Sequence, residues 1–245
     1  METAELTLTD LEGRFPGVLF GQNCNVYPNV TIGKGSRIED FCVIGMPPRG
    51  REAGELPTVI GKDAIIRPFT TIYSGNRIGD RFQTGQGASI RENNWIGNDV
   101  SVGTNSVLEF ENRIGDRTRI HSLCFLEMVT LEEDVFVAPG VVFTDDPHPM
   151  CPKYKECHGG AVVKARAKIG ARSIILPGIV IGERALIGAG SVVTEDAPPE
   201  TVVAGNPAKV LKKIQDLVCS PGLFERPYVW EEFTNSKFHN PNKIK

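Results

Sequence analysis

Residues 78–120 read IGDRFQ-TGQGAS-IRENNW-IGNDVS-VGTNSV-LEFENR-IGDRTR-I, a run in which every sixth residue is aliphatic except Thr84. The same spacing extends back to Ile60. Neither the alternation of an isolated strand nor the stripe of a helix gives this spacing. The run therefore predicts a repeat architecture of short strands and tight turns, stacked so that the repeated side chains form the core.

The spacing of six returns in three other registers along the chain. Each change of register marks residues inserted or lost between two hexads, and a corner can widen into a loop there. Because a solenoid grows by adding coils, 245 residues fit one elongated domain. The three further sets are Phe20, Val26, Ile32, Ile38 and Ile44; Leu131, Val137 and Phe143; and Val163, Ile169, Ile175, Ile181, Ile187 and Val193.

Composition and charge exclude several classes of protein. A formal net charge of −3 without a basic run argues against a nucleic-acid partner. No apolar run approaches membrane-spanning length, and residues 1–11 lack the cationic flank of a signal peptide, so we expect a cytoplasmic protein without membrane insertion. Six scattered cysteines do not suit a disulfide scaffold. Two of them, Cys24 and Cys42, occupy small-residue positions of the hexad and are expected to be buried and reduced.

Two insertions interrupt the repeat. Residues 46–57 contain a Pro-Pro pair and an Arg-Gly-Arg, and residues 144–161 carry two aspartates, two histidines and two cysteines. Long loops within a compact domain are usually functional. We expect both loops to line a substrate pocket.

The end of the chain leaves the repeat. Pro207 can open a short helix over residues 208–218, where Val210, Leu211 and Ile214 contribute to an apolar stripe. Such a helix would cover the unpaired strand edges of the last coil. The aromatic tail, with Phe224, Tyr228, Trp230 and Phe233, is expected to pack on its own or a neighbouring subunit.

The hexad pattern resembles that of the hexapeptide-repeat proteins, whose fold is a left-handed parallel β-helix with three hexads per coil. The resemblance covers roughly residues 20–210. It implies a left-handed parallel β-helix. Together with the two inserted loops and the short C-terminal helix inferred above, we expect an all-β fold of this kind. The implied division is an N-terminal segment (1–19), the β-helix domain (20–206) with loops 46–57 and 144–161, and a C-terminal helix and tail (207–245).

The closing repeats resemble those of CoA-dependent hexapeptide acyltransferases. Residues 187–194 read IGAGSVVT, and residues 203–210 read VAGNPAKV. In that family such coils line an acetyl-CoA groove between two subunits of a homotrimer. The alternative is that the glycines only turn corners and the basic residues are solvated. The resemblance implies cofactor-binding roles for Gly188, Ala189, Gly190, Asn206, Pro207, Lys209 and Lys168, with Lys164, Arg166 and Arg172 as helpers for the phosphates.

Residues 82–93, FQTGQGASIREN, carry a sharper resemblance. They are similar to a motif of the nucleotide-sugar N-acetyltransferases that act on dTDP-amino-dideoxyhexoses, commonly Thr-Gly-His-Gly followed by Ile-Arg-Glu. Gln86 stands where those relatives have His, which removes one candidate proton acceptor and leaves the sugar open. The alternative is a polar corner held by local hydrogen bonds. The resemblance implies catalytic roles for Gln86 and Glu92, and substrate binding by Arg91 and Asn105.

His121 is the third candidate. Many O-acetyltransferases of this fold use a His as general base, because a hydroxyl must lose its proton to attack a thioester. An amine needs mainly orientation and a proton acceptor, which His121 or Glu92 can supply. The alternative for a single corner His is an ordinary surface residue.

The inserted loops offer further candidates. Asp145 or Asp146 can hold the amine, and Arg49 or Arg51 can hold the phosphates of a nucleotide. Metal-ligand types also occur in the longer loop, but their spacing suits zinc poorly, so we predict no metal. They are His148, Cys151, Cys157 and His158. A γ-carbonic anhydrase, which shares this fold, is disfavoured because His121 has no partner histidine at that family's spacing.

We therefore expect an acetyl-CoA-dependent N-acetyltransferase that acts on the amine of a nucleotide-linked amino-deoxysugar by direct transfer through a tetrahedral intermediate, in a homotrimer with sites between subunits. Two alternatives remain open. One is O-acetylation of a sugar or antibiotic hydroxyl with His121 as base. The other is a non-catalytic β-helix scaffold.

Overall fold

The computed structural model describes residues 8–228, of which residues 19–205 form a parallel β-helix of three sheets. Strands of successive coils pair in parallel and in register, so that Ile96 pairs with Ile78 on one side and Ile114 on the other. Three hexads thus make one coil of 18 residues. The prediction of an all-β hexapeptide solenoid is confirmed, in agreement with a left-handed β-helix.

The chain runs from sheet A to B to C in each coil, mostly through two-residue strands. Sheet A contains β1 Leu19–Phe20, β4 Arg37–Ile38, β7 Ile65–Ile66, β10 Gln83–Thr84, β13 Ser101–Val102, β16 Arg119–Ile120, β19 Phe136–Val137, β22 Lys168–Ile169, β25 Leu186–Ile187, β27 Thr201–Gly205 and β28 Ala208–Lys213. Sheet B contains β2 Asn25–Val26, β5 Val43–Met46, β8 Thr71–Tyr73, β11 Ser89–Ile90, β14 Val107–Leu108, β17 Phe125–Leu126, β20 Val142–Phe143, β23 Ile174–Ile175 and β26 Val192–Val193. Sheet C contains β3 Val30–Ile32, β6 Thr58–Ile60, β9 Arg77–Ile78, β12 Trp95–Ile96, β15 Arg113–Ile114, β18 Thr130–Leu131, β21 Val162–Val163 and β24 Val180–Ile181.

The repeated aliphatic side chains point inward and form one continuous core. Ile90, Leu108 and Ile114 are fully buried. Thr84, the exception in the repeat, is also buried, and its Oγ1 accepts a hydrogen bond from the Arg67 backbone N–H (2.9 Å) and lies 3.0 Å from Thr70 Oγ1. Its hydroxyl is therefore satisfied inside the core, which favours a structural role for this residue. Cys24 and Cys42 are buried and free, as predicted.

The three corners of the triangle form edges that we name AB, BC and CA after the sheets they join. In the coil of the central motif they are residues 85–88, 91–94 and 97–100. Edge CA is closed by ion pairs between successive coils, such as Arg81 with Asp99 (2.6 Å) and Arg117 with Asp134 (2.8 Å). These pairs tie successive coils together at this edge.

The C-terminal helix predicted over residues 208–218 is wrong. Residues 208–213 form β28, antiparallel to β27, and only a 3₁₀ helix, Ile214–Asp216, follows. The apolar stripe does not exist as a buried face, since Val210 and Leu211 are exposed. Backbone pairing on the last strand covers the open edge of sheet A, so a strand does the task expected of the helix. Trp230 and Phe233 lie outside the described residues.

A helix that the sequence analysis did not predict lies at the other end. It is α1, Leu8–Arg14, within the N-terminal segment. Leu11 and, just after the helix, Phe15 and Val18 are buried in the core. This segment therefore caps the first coil. No helix within residues 8–228 combines the length and apolar character that a bilayer span requires.

Candidate active site

The predicted cofactor and catalytic residues lie mainly along edge AB. Gln86, Asn105 and His121 occupy this edge in three successive coils, since the Asn105 backbone N–H donates to Gln86 O (3.0 Å) and Gly103 packs against His121. The tract Gly188–Ala189–Gly190 lies at the same edge several coils further on. The structure thus places these predicted residues in one line.

His121 is exposed on this edge. Its ring packs against Phe136, with 5.0 Å between ring centroids and 59° between planes. Within residues 8–228 no carboxylate pairs with the imidazole. A general base usually has such an orienting partner, so this geometry supports a surface role better than the role of a base.

The glycines of the last coils serve the fold directly. A Cβ on Gly188 would lie 2.7 Å from the Cβ of Ala204, and Gly190 has a φ of +72°. The Gly188 and Gly190 amides donate to Val203 O and Ala171 O, both at 2.8 Å. These two amides are therefore occupied. A pantetheine arm bound at this corner would therefore need hydrogen bonds from other backbone groups, and the small glycine residues would leave room for it.

The predicted basic residues are dispersed. Lys209 extends from β28 to Glu195 (2.7 Å), and Lys168 Nζ lies on the outer side of sheet A, 4.5 Å from the ring centroid of Tyr228. Asn206 and Pro207 are exposed in the turn between β27 and β28, joined by a cis peptide bond. The three residues predicted to help bind the phosphates lie on two different edges. Lys164 and Arg166 are on edge CA, and Arg172 is on edge AB.

Edge BC carries a second group of predicted residues. Both inserted loops emerge here, since each leaves a strand of sheet B (β5 or β20) and returns in sheet C (β6 or β21). The longer loop contains the short helix α2, Tyr154–Cys157, and is closed at its base by a hydrogen bond from the Gly159 N–H to Asp145 O (2.8 Å). Arg91, Glu92 and Asp145 all lie on edge BC.

Arg91 organises the charges at this edge. Its guanidinium donates to the carboxylates of Glu92 (3.0 Å) and Glu109 (3.2 Å) and lies 4.8 Å from the ring centroid of Tyr73. Glu92 is thereby engaged by a permanent cation, which weakens the prediction that it is the proton acceptor.

A buried ladder of asparagines supports the same edge from inside. Asn76, Asn94 and Asn112 occupy one position in three successive coils. The Asn112 backbone N–H donates to Asn94 Oδ1 (2.9 Å), and Asn94 Nδ2 donates to Arg91 O (2.7 Å). Because each side chain bonds the next coil and its own corner, the ladder fixes the backbone from which the charged residues project.

Glu127 completes the cluster and was missed by the sequence analysis. Its pKa is raised to about 7, first by burial and then by the charge of Asp145, the charge of Glu109 and a hydrogen bond with Asp145. Arg91 opposes the increase. A carboxyl group with a pKa near 7 can accept and release a proton under neutral conditions. Edge BC therefore holds a carboxyl group that can serve as a proton acceptor.

The raised pKa also predicts how stability depends on pH. A carboxyl group whose pKa is higher in the folded state contributes stability below its ordinary pKa, and this is lost as the pH rises through about 7. Glu127→Gln stays neutral, so we expect a melting temperature about 2–5 °C above that of the wild type at pH 8 and no gain at pH 5. Thermal denaturation at the two pH values measures this. The control is Glu133→Gln, an exposed change on edge CA. An equal shift at both pH values would contradict the pKa assignment.

The remaining loop candidates are exposed or locally bonded. Arg51 pairs with Glu55 of its own loop, and Arg49 is exposed. Asp146 Oδ1 accepts a hydrogen bond from the His148 N–H (2.8 Å). In the region that the structure describes, no three residues of the His, Cys, Asp or Glu types are grouped so as to hold a metal ion.

The predicted catalytic residues and the acidic substrate-binding candidates of one chain thus fall on two edges separated by sheet B. Edge AB has Gln86, Asn105 and His121, whereas edge BC has the acidic cluster and both loops. From Val107 onward the outer face of sheet B between them is apolar and half-buried to exposed, with Val107, Phe125, Val142, Ile174 and Val192. A single chain does not bring His121 and Glu92 together.

Comparison with known proteins agrees with this fold. Residues 160–195 match the family described as bacterial transferase hexapeptide (six repeats). The chain is 31% identical to the galactoside O-acetyltransferase of Escherichia coli K12 over 53% of this chain and 65% of that protein. It is 51% identical to the dTDP-3-amino-3,6-dideoxy-alpha-D-galactopyranose 3-N-acetyltransferase of Aneurinibacillus thermoaerophilus over 22% of this chain and 29% of that protein.

A solved structure also aligns with the chain. It is the N-acyltransferase AntD from Bacillus cereus in complex with dTDP and coenzyme A, at 21% identity over 63% of this chain and 83% of that one, with a TM-score of 0.40. That likeness is too low to bear on function. The chain spans less than two thirds of the length of either curated relative. The family match and the parallel β-helix together show that the chain is built from hexapeptide repeats, which it shares with acetyltransferases.

Proposed function

We propose that the protein transfers the acetyl group of acetyl-CoA to the amine of a nucleotide-linked amino-deoxysugar. The observation that carries the proposal is Glu127, a carboxyl group with a pKa of about 7 beside Asp145 and Glu109, at the edge where both inserted loops emerge. Carboxylates suit an ammonium group, and an acceptor that titrates near neutrality suits its deprotonation.

The chemistry follows from this arrangement. Asp145 and Glu109 hold the ammonium, and Glu127 removes one proton to give the free amine. The amine nitrogen attacks the thioester carbonyl, forming a C–N bond and a tetrahedral intermediate. When the intermediate collapses, the C–S bond breaks, the second proton of the amine passes to the CoA thiolate, and the amide remains. Direct transfer needs no acyl-enzyme.

The two-edge arrangement gives a reason for the homotrimer implied by the family resemblance. Acetyl-CoA on edge AB of one subunit would meet an acceptor on edge BC of its neighbour. The apolar outer face of sheet B offers a surface that such an assembly would cover. The assembly and the cytoplasmic location stay predictions.

Transfer to a hydroxyl is the second candidate, because one of the relatives is a galactoside O-acetyltransferase. The two candidates differ in their need for His121. With an amine acceptor, His121→Ala should lower kcat/KM by less than about tenfold, because Glu127 accepts the proton and the imidazole has no orienting carboxylate. Release of free CoA thiol measures the rate, with Ser122→Ala as the neighbouring control. A loss of several orders of magnitude would instead favour a hydroxyl acceptor with His121 as base.

A further inference from the structure

The outer face of sheet C carries an exposed aromatic residue between two arginines. Trp95 is 49% exposed, and its neighbours in register on the adjacent strands are Arg77 and Arg113. Neighbouring strands lie about 4.8 Å apart, so the two arginine backbones are about 10 Å apart with the tryptophan between them. We call these three residues the Arg-Trp-Arg face.

A surface depression of about 600 Å³ opens on this face and reaches the corner of edge BC. Its lining includes the three residues of the Arg-Trp-Arg face and, from the corner, Gly75, Asn93 and Glu111. The depression therefore extends from two cations on the sheet to the corner of edge BC, where Glu111 supplies a carboxylate.

The two arginines differ from the structural arginines of this fold. Arg81 and Arg117 pair with aspartates across coils on edge CA, and Arg91 pairs with glutamates on edge BC. Among residues 8–228, neither Arg77 nor Arg113 forms an ion pair or a side-chain hydrogen bond, and neither guanidinium lies over an aromatic ring. Their charges are not used to hold the coils together.

The asparagine ladder fixes this face in place. Each member directly precedes one residue of the face: Asn76 precedes Arg77, Asn94 precedes Trp95, and Asn112 precedes Arg113. Because the ladder is buried and fully bonded between coils, the three strand starts hold a constant spacing. A rigid backbone behind exposed charged and aromatic side chains is typical of a preorganised binding site.

We propose that the Arg-Trp-Arg face binds the nucleoside diphosphate part of an activated sugar. A nucleobase stacks on the indole ring, and the diphosphate accepts hydrogen bonds from the guanidinium groups of Arg77 and Arg113. The charge along the depression matches an aminosugar nucleotide, with its phosphates at the arginines and its amine towards the carboxylates of edge BC. The sugar part of this assignment rests on the proposed function.

Binding of dTDP and UDP tests the inference directly. The chain has two tryptophans, so the Trp230→Phe variant leaves Trp95 as the only fluorescent indole. We expect saturable quenching of its emission on titration with either nucleotide. By calorimetry, Arg77→Gln/Arg113→Gln should raise Kd at least tenfold, and Trp95→Ala should weaken binding more than Trp95→Phe.

The matched control is Arg37→Gln/Arg119→Gln. It removes two exposed arginines from the outer face of sheet A and should change Kd less than twofold. An unchanged Kd in Arg77→Gln/Arg113→Gln would overturn the inference, even for a protein that acetylates aminosugars. A wild-type protein that acetylates no aminosugar would refute the proposed function. The inference would still stand if Arg77→Gln/Arg113→Gln lost the nucleotide binding that the wild type shows.

A nucleoside diphosphate also occurs in CoA, which contains 3′-phosphoadenosine 5′-diphosphate. Steady-state kinetics separate the two sources. We expect Arg77→Gln/Arg113→Gln to raise the KM of the sugar nucleotide and leave the KM of acetyl-CoA within twofold. A raised KM for acetyl-CoA alone, with adenosine 3′,5′-bisphosphate displacing dTDP, would overturn the assignment to the sugar nucleotide.

Discussion

Glu127→Gln is expected to lower kcat with an aminosugar nucleotide by about a hundredfold, within the range found for loss of a general base. Glutamine has nearly the same shape but cannot take a proton from the ammonium group. The pH profile gives a second readout. Activity of the wild type should fall as the pH drops below about 7, because Glu127 becomes protonated. The variant should lose this dependence.

Steady-state kinetics from pH 5.5 to 9 test the role of Glu127, with Glu133→Gln as the control. Glu133 is an exposed glutamate on edge CA, and its replacement should leave both kcat and the pH profile unchanged. A Glu127→Gln variant that keeps more than a third of the wild-type activity, or the same acidic limb, would show that Glu127 is not the proton acceptor.

Asn94→Ala is expected to destabilise the fold by about 2–4 kcal/mol, which is large for one side chain. Asn94 is buried in the asparagine ladder, where its Oδ1 accepts from both the backbone N–H (2.9 Å) and Nδ2 (2.8 Å) of Asn112. Alanine leaves these buried donors with fewer partners and opens a small cavity. The Arg91 carbonyl also loses a donor, so the corner that carries the acidic cluster should loosen.

Denaturant unfolding monitored by circular dichroism measures this loss. The control is Asn25→Ala on the exposed side of β2, where a change within about 0.5 kcal/mol is expected. A loss below 1 kcal/mol for Asn94→Ala would mean that the ladder does not hold edge BC in place.

The core could be predicted from the sequence because an aliphatic side chain recurs at every sixth position and is buried in coil after coil. Ile90 and Leu108, for example, pair in register and are both fully buried. The inserted loops were also predicted, since they break the spacing of the repeat. The sequence did not predict that both loops open on the same edge. The assignment of each hexad to sheet A, B or C depends on every insertion before it, so the structure was needed.

The C-terminal helix could not be judged from local pattern alone. Val210, Leu211 and Ile214 fit a helical stripe, but the unpaired edge of β27 offers backbone hydrogen bonds to any segment that returns beside it. Backbone pairing with the preceding strand decided the conformation of residues 208–213. Tertiary context overrode the sequence periodicity here.

Glu127 left a signal in the sequence that was not used. From Leu126 to Leu131 the aliphatic spacing shortens to five residues, so one residue is missing at the corner that holds Glu127. The raised pKa of this carboxyl depends on Asp145, which lies 18 residues further along the chain at the base of an inserted loop. Contact between groups in successive coils could not be inferred before the edges were assigned.

The most direct measurement is release of free CoA thiol from acetyl-CoA by the purified protein, with dTDP- and UDP-linked 3-amino and 4-amino sugars compared with simple hydroxyl acceptors. We predict turnover with at least one aminosugar nucleotide and an amide product identified by mass spectrometry. Turnover only with hydroxyl acceptors, or none with any acceptor, would contradict N-acetyl transfer to a nucleotide-linked aminosugar.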